Sequence, residues 1–150
     1  MARAREWTMA ALTVAVIAAT GCGGSGHQSS GPSPVRLLHV AGTPFPRVEL
    51  SADAAARIGV RTAVAGTRSG PGGARMVVVP YAAVLYDPNG APSVYTSPAP
   101  RTYDRRPVRI DRIAGNVAIL RQGPAAGTAV VVVGADELFG AETGVLGEGK

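Results

Sequence analysis

"AGTAVVVVGADEL", residues 126–138, is the stretch on which the fold turns. Four consecutive valines, Val130 to Val133, lie between Gly127 and Gly134. A short apolar run between turn residues marks a strand that can be buried on both faces. β-Branched side chains such as valine favour extended backbone. A strand of this kind needs neighbours on both sides, so the rest of the chain must supply a sheet.

Upstream, residues 75–122 contain short apolar segments with turn signals at close intervals, an all-β pattern. "RMVVVP", residues 75–80, is a strand stopped by Pro80. "YAAVLYDPNGAPSVYTS", residues 81–97, has the form of a hairpin. In its turn Asp87 can bond nearby backbone, Pro88 presets φ and Gly90 can take positive φ. Its return strand begins at Val94, and Tyr86 and Tyr95 are expected to meet across it. "YDRRPVRIDRIAGNVAILRQG", residues 103–123, forms a second hairpin turning at Gly115-Asn116. Val108 and Ile110 share one face, and Ile113 is out of phase with them, which calls for a bulge or for cover on both faces. Pro107 suits an edge position. "GADEL" ends the last strand, with Asp136 and Glu137 at its solvated end, before a glycine-rich tail.

A separate piece, "RVELSADAAARIGVRTAVAG", residues 47–66, is patterned as strand, helix, strand. Ser51 is a good N-cap, Asp53 falls where the helix dipole favours negative charge, and Gly59 can end the helix in a left-handed conformation. The cap role accounts for Asp53 without catalysis. "TRSGPGG", residues 67–73, lacks the Lys-Ser/Thr of a phosphate-binding loop and is a plain connection.

The N-terminus has the layout of a secretory signal. Arg3 and Arg5 precede the uncharged "TMAALTVAVIAA", which at twelve residues is shorter than the about 20 needed to span a bilayer as a helix. "ATGC" then places small residues directly before Cys22, the only cysteine of the chain. Small residues before a cysteine resemble a lipoprotein signal, in which that cysteine carries the lipid. Ala19 stands where an aliphatic residue is usual, so an ordinary signal-peptide cut is the alternative. Residues 22–46 are rich in Gly and Ser and then in Pro. The expectation is a flexible tether reaching on the order of 25–30 Å. His27 and His39 lie within it with no carboxylate at ligand spacing. The expected organisation is a signal at residues 1–21, a tether at 22–46, a β domain at 47–143 (47–66 plus 75–143) and a disordered tail at 144–150.

Fourteen arginines and one lysine against ten carboxylates give a net charge of +5. The arginines are dispersed and lack interleaved aromatics as stacking platforms, which argues against nucleic acid. With seven aromatic residues in all, an aromatic-lined pocket is disfavoured. The expected β domain holds no histidine and no cysteine, so a nucleophile–base pair or a zinc site has little to draw on. No catalytic, cofactor-binding or metal-binding residue is assigned. The candidate contact residues are Arg101, Arg105, Arg106, Arg109 and Arg112. They either guard a solvated edge strand or form a contact face for an acidic partner or anionic lipid head groups.

In order and spacing, "VVPYAAVLYDPNG", "SVYT", "RRPVRI", "GNVAIL", "GPAAGTAVVVVGADEL" and "GAETG" resemble the membrane-proximal part of periplasmic adaptor subunits, the membrane fusion proteins of RND-type efflux transporters. "VELSADAAARIGVRTAVA" is similar to the segment that opens the mature chain of those adaptors. A full adaptor carries a β-barrel, a lipoyl-like domain and a helical hairpin between the two pieces, whereas "TRSGPGGAR" is all that stands there in this chain. Gly123-Pro124 departs from the family's Gly-Leu. The resemblance implies an adaptor reduced to its membrane-proximal domain. That would be an all-β fold, a small mixed barrel or sandwich with one short helix, in which the first piece and the valine strand complete one sheet. The implied role is a non-catalytic accessory protein, lipid-anchored through Cys22 to the outer face of the cytoplasmic membrane and docked on an inner-membrane efflux transporter. The alternative is a solitary envelope lipoprotein binding a solute, a metal or an envelope polymer. Neither reading specifies an oligomeric state.

Overall fold

The computed structural model describes residues 33–144. Cys22, the signal segment, residues 22–32 of the expected tether and residues 145–150 lie outside that range.

The core of the fold is two open antiparallel sheets stacked on each other, with two short helices on the outer face of the larger one. In chain order the strands are β1 (Val35–Leu38), β2 (Arg47–Leu50), β3 (Arg61–Val64), β4 (Gly66–Ser69), β5 (Arg75–Pro80), β6 (Leu85–Tyr86), β7 (Pro92–Ala99), β8 (Thr102–Pro107), β9 (Arg109–Ala114), β10 (Val117–Gln122) and β11 (Ala129–Val133). Helix α1 (Ala52–Ile58) follows β2 and α2 (Ala135–Thr143) follows β11. The larger sheet runs β1-β2-β8-β7-β11-β3, with β6 also on β7, and the smaller runs β4-β5-β10-β9. The all-β class is as the sequence indicates. Of the two architectures left open, the open sheets make it a sandwich.

The valine run is β11. It lies between β7, through Val130 opposite Thr96, and β3, through Val130 opposite Ala63 and Val131 opposite Thr62. Val130 and Val131 are both fully buried because each face of this sheet is covered. Val131 points to the helix side with Val48, Leu50, Tyr95, Tyr103 and Leu138. Val130 points between the sheets with Val79, Val94, Val108, Ala118 and Leu120. The 47–66 piece joins the same sheet, with β2 on β8 and β3 on β11.

Helix α1 forms as its sequence dictates. The Ser51 hydroxyl accepts from the Ala54 amide at 3.2 Å, and Gly59, at φ 67°, donates to the Ala55 carbonyl. Ala54 is its buried contact with the sheet.

Several expectations are corrected. Residues 35–38 are not tether but an edge strand, with Val35 opposite Leu50 and Leu38 opposite Arg47. Their alternation with Arg36 suffices once β2 offers a paired edge, so the domain begins before residue 47. Residues 66–69 are a strand too, and β4 and β5 form a hairpin closed by a 2.7 Å bond from the Gly70 amide to the Ala74 carbonyl. Tyr86 lies opposite Pro92 and is exposed, whereas Tyr95 lies opposite Arg105 and is fully buried, so the two do not meet. The return strand of that hairpin begins at Pro92 rather than Val94. The second hairpin begins only at Arg109, because residues 102–107 pair with β7 in the other sheet and the chain changes sheet at Val108. Asp136 and Glu137 do not end a strand. They occupy the first turn of α2, a second helix that the sequence reading missed. Gly134 makes that reversal possible. Its φ is 87°, and a Cβ there would come within 2.7 Å of Ile58 Cγ2, so glycine lets the β11–α2 corner close on α1.

Of the two alternatives that Ile113 raises, the bulge is present. Opposite Leu120 the register skips Asp111, and one step on it skips Arg121. The two skipped residues pair with each other, Arg121 Nε to Asp111 Oδ1 at 2.7 Å.

Candidate functional site

β8 brings charged side chains to both faces of the larger sheet, because successive residues of a strand point opposite ways. Asp104 and Arg106 face the space between the sheets, and Tyr103 and Arg105 face the helices.

On the inner side, Asp104 is nine-tenths buried and held by Arg47 from the adjacent β2. Arg47 Nε donates to Oδ1 at 2.7 Å and Nη2 to Oδ2 at 2.9 Å, a two-point guanidinium–carboxylate pair. These bonds hold the Asp104 carboxyl below the usual carboxylate range, against the opposing effect of burial. The same hydrogen bonds raise the Arg47 guanidinium above its ordinary value. Arg106 Nη2 reaches Oδ2 only at 3.5 Å, and half of the Arg106 side chain is exposed. Beside this pair an open cleft of about 410 Å³ lies between β7, β8 and the loop of residues 122–128. Thr96, Asp104, Arg106, Gln122 and Thr128 line it, together with three prolines, Pro98, Pro107 and Pro124. The Thr96 hydroxyl is engaged, donating to the Asp104 carbonyl at 3.2 Å.

On the helix side, Arg105 is internal. Its Nη2 donates to Glu142 Oε1 of α2 at 2.7 Å and its Nε to the same oxygen at 3.0 Å. The other Glu142 oxygen accepts from the Tyr95 hydroxyl. Only 3% of the Glu142 side chain is exposed. The guanidinium lies 3.6 Å from the centroid of the Phe45 ring and 5.2 Å from that of Phe139. Burial first, and then the bond to Glu142, push the Tyr95 phenol far above its ordinary value.

The five arginines named as candidate contact residues are therefore dispersed. Arg105 is spent inside the protein. Arg101 and Arg106 remain at the surface of the larger sheet, and Arg109 and Arg112 lie on β9, the edge of the smaller one. β8 itself is flanked by β2 and β7, so the edge-strand reading holds for Arg109 and Arg112 but not for Arg105 or Arg106. Arg112 bonds Asp111 at 3.0 Å. Arg101, in the two-residue turn between Ala99 and Thr102, has φ 59°. It is the only residue other than glycine with positive φ among the described residues.

The sequence reading missed Arg47, Asp104, Glu142, Phe45 and the proline-lined cleft. One signal was available: Asp104 directly precedes two arginines on an alternating strand, which places it on the face opposite Arg105. Among the described residues no group of three or more His, Cys, Asp or Glu side chains could hold a metal ion, and no helix is long and apolar enough to cross a membrane. In comparisons with known proteins, no family model, no curated protein and no solved structure matches the chain.

Proposed function

We propose that this protein is a non-catalytic extracytoplasmic accessory subunit, anchored by lipid on Cys22 and docked on an inner-membrane efflux transporter of the RND type or a similar one. One observation carries the reading. The two pieces that resemble the opening and closing segments of an adaptor's membrane-proximal part complete a single sheet, β2 on β8 and β3 on β11. Between them the chain forms only the tight β4–β5 hairpin, at the place where a full adaptor would depart into further domains.

The test is site-specific photocrosslinking in cells expressing the full chain, with the probe at Arg101, Arg106, Arg109 or Arg112 in turn. The expected result is an adduct with a multi-span transporter from at least one position, together with metabolic lipid labelling that Cys22→Ala abolishes. Absence of any protein adduct from all four positions overturns the docking reading, and unlabelled wild-type chain overturns the anchor.

A further inference from the structure

We propose that the cleft between β7, β8 and the 122–128 loop is a binding site for a small organic carboxylate, received by the Arg106 guanidinium over an apolar bed of Pro98, Pro107 and Pro124. This does not rest on the docking reading, although Arg106 is a candidate contact residue in both; the titration below uses the chain alone, so its outcome is separate from that of the crosslinking.

At about 410 Å³ the cleft is within the range of small-ligand sites. Its loop wall is built, not loose. The Ala65 amide donates to the Thr128 carbonyl, and the Gly127 amide to the Ala65 carbonyl, both at 2.8 Å. Thr128 donates back to the Ala125 carbonyl at 3.2 Å. Gly123 sits tightly on the core, since a Cβ there would lie 2.7 Å from Leu120 Cδ1. Three pyrrolidine rings add a rigid apolar surface, and a site that needs no ordering loses less affinity to entropy.

Charge selects the ligand. Asp104 is the only carboxylate in the lining, and Arg47 already neutralises it through two short hydrogen bonds. Glu49, two residues beyond Arg47 on β2, is not part of the lining. Arg106 is then the uncompensated charge at the cleft, and its single contact with Asp104 at 3.5 Å leaves most of its N–H donors open. One planar guanidinium matches one carboxylate through two parallel bonds. A phosphate dianion would bring a second charge toward the buried Asp104 carboxylate with no second cation in the lining to meet it.

The test is a heteronuclear NMR titration of the isotope-labelled full chain with benzoate, benzamide and inorganic phosphate. Benzoate at millimolar concentration is expected to shift the amides of Thr96, Gly123 and Thr128, and benzamide to bind about tenfold more weakly for want of the charged pair. Arg106→Gln removes the charge at an exposed position. Ala125→Trp fills the cleft from its loop and leaves Arg106 in place. Each is expected to weaken benzoate about tenfold with the rest of the spectrum unchanged. Absence of shifts with benzoate overturns the proposal. So does benzamide binding equal to benzoate, and so does phosphate shifting the same amides as strongly, which would mean unspecific anion adsorption.

Discussion

Replacing Glu142 by Gln keeps the shape of the side chain and removes its charge. In the native fold both carboxylate oxygens are committed, one to two Arg105 donors and one to the Tyr95 hydroxyl. Arg105 is nine-tenths buried, so the variant strands a guanidinium against Phe45 and Phe139, whose ring faces offset only part of the lost interaction. Breaking a buried ion pair by removing one partner costs about 3–5 kcal/mol, because the remaining charge is uncompensated. Against a stability of about 5–15 kcal/mol for a domain of this kind, the loss is large. At about 4 °C per kcal/mol it lowers Tm by roughly 12–20 °C. Urea unfolding followed by circular dichroism measures it, in a double-mutant cycle with Arg105→Met. The double variant Arg105→Met/Glu142→Gln closes the cycle, removes both charges, keeps an acceptor for the Tyr95 hydroxyl and is expected to recover most of the loss. A Glu142→Gln cost below about 1 kcal/mol, or a cycle in which the two single costs simply add, would refute the claim that this pair clamps α2 to β8.

Acid sensitivity traces to Asp104. Its carboxyl is held below the ordinary value in the fold, so the Arg47–Asp104 pair contributes fully above the unfolded carboxylate pKa of about 3.9, and the contribution disappears as pH falls through the lower folded value. Stability measured from pH 6 down to about 2 should fall steeply in the wild type below that point and more shallowly in Asp104→Asn, which starts from a lower plateau. Ser93→Ala is expected to stabilise by about 1 kcal/mol, because the Ser93 hydroxyl is buried without a hydrogen-bond partner; chemical denaturation reads it, and a loss of stability would reveal a partner. Inserting ten Gly/Ser residues between Gly72 and Gly73, at the exposed tip of the β4–β5 hairpin, lengthens that loop about threefold and should cost only about 1 kcal/mol. Unfolding of the insertion variant would show that the tip is part of the core.

The elements legible in the sequence are those whose pattern is local. The Ser51 and Gly59 caps and the Asp87 turn, whose carboxylate accepts from the Asn89 and Ala91 amides, lie where the residue types place them. What escaped depends on partners distant in sequence. Residues 35–38 follow a Gly/Ser- and Pro-rich stretch and become a strand only because β2 is there to pair with. Helix α2 carries Gly140 inside and glycines at both ends, so its composition suggests a tail. Leu138, fully buried, and Glu142, bonded to β7 and β8, hold it in place. The site was missed for the same reason. Arg47 and Asp104 are 57 positions apart, and no spacing rule connects them.

β8 explains why the arginine-rich segment could not be understood as one patch. "TYDRRP" carries a strand's alternation, so a run that is continuous in sequence is divided between two faces with different tasks. Tyr103 and Arg105 go to the helix side, where Arg105 is consumed by Glu142 and two aromatic rings. Asp104 and Arg106 go to the inner side, where Asp104 is consumed by Arg47 and only Arg106 keeps unpaired donors. The ion pairs on the two faces bind β8 to both distant parts of the chain at once: Arg47 ties it to the N-terminal piece, and Glu142 ties it to the C-terminal helix. A strand fixed on both faces in this way leaves little freedom at Arg106, so the guanidinium that borders the cleft projects from a rigid support. Rigidity of that kind is what a small site needs if a single charged contact is to discriminate a carboxylate from its amide.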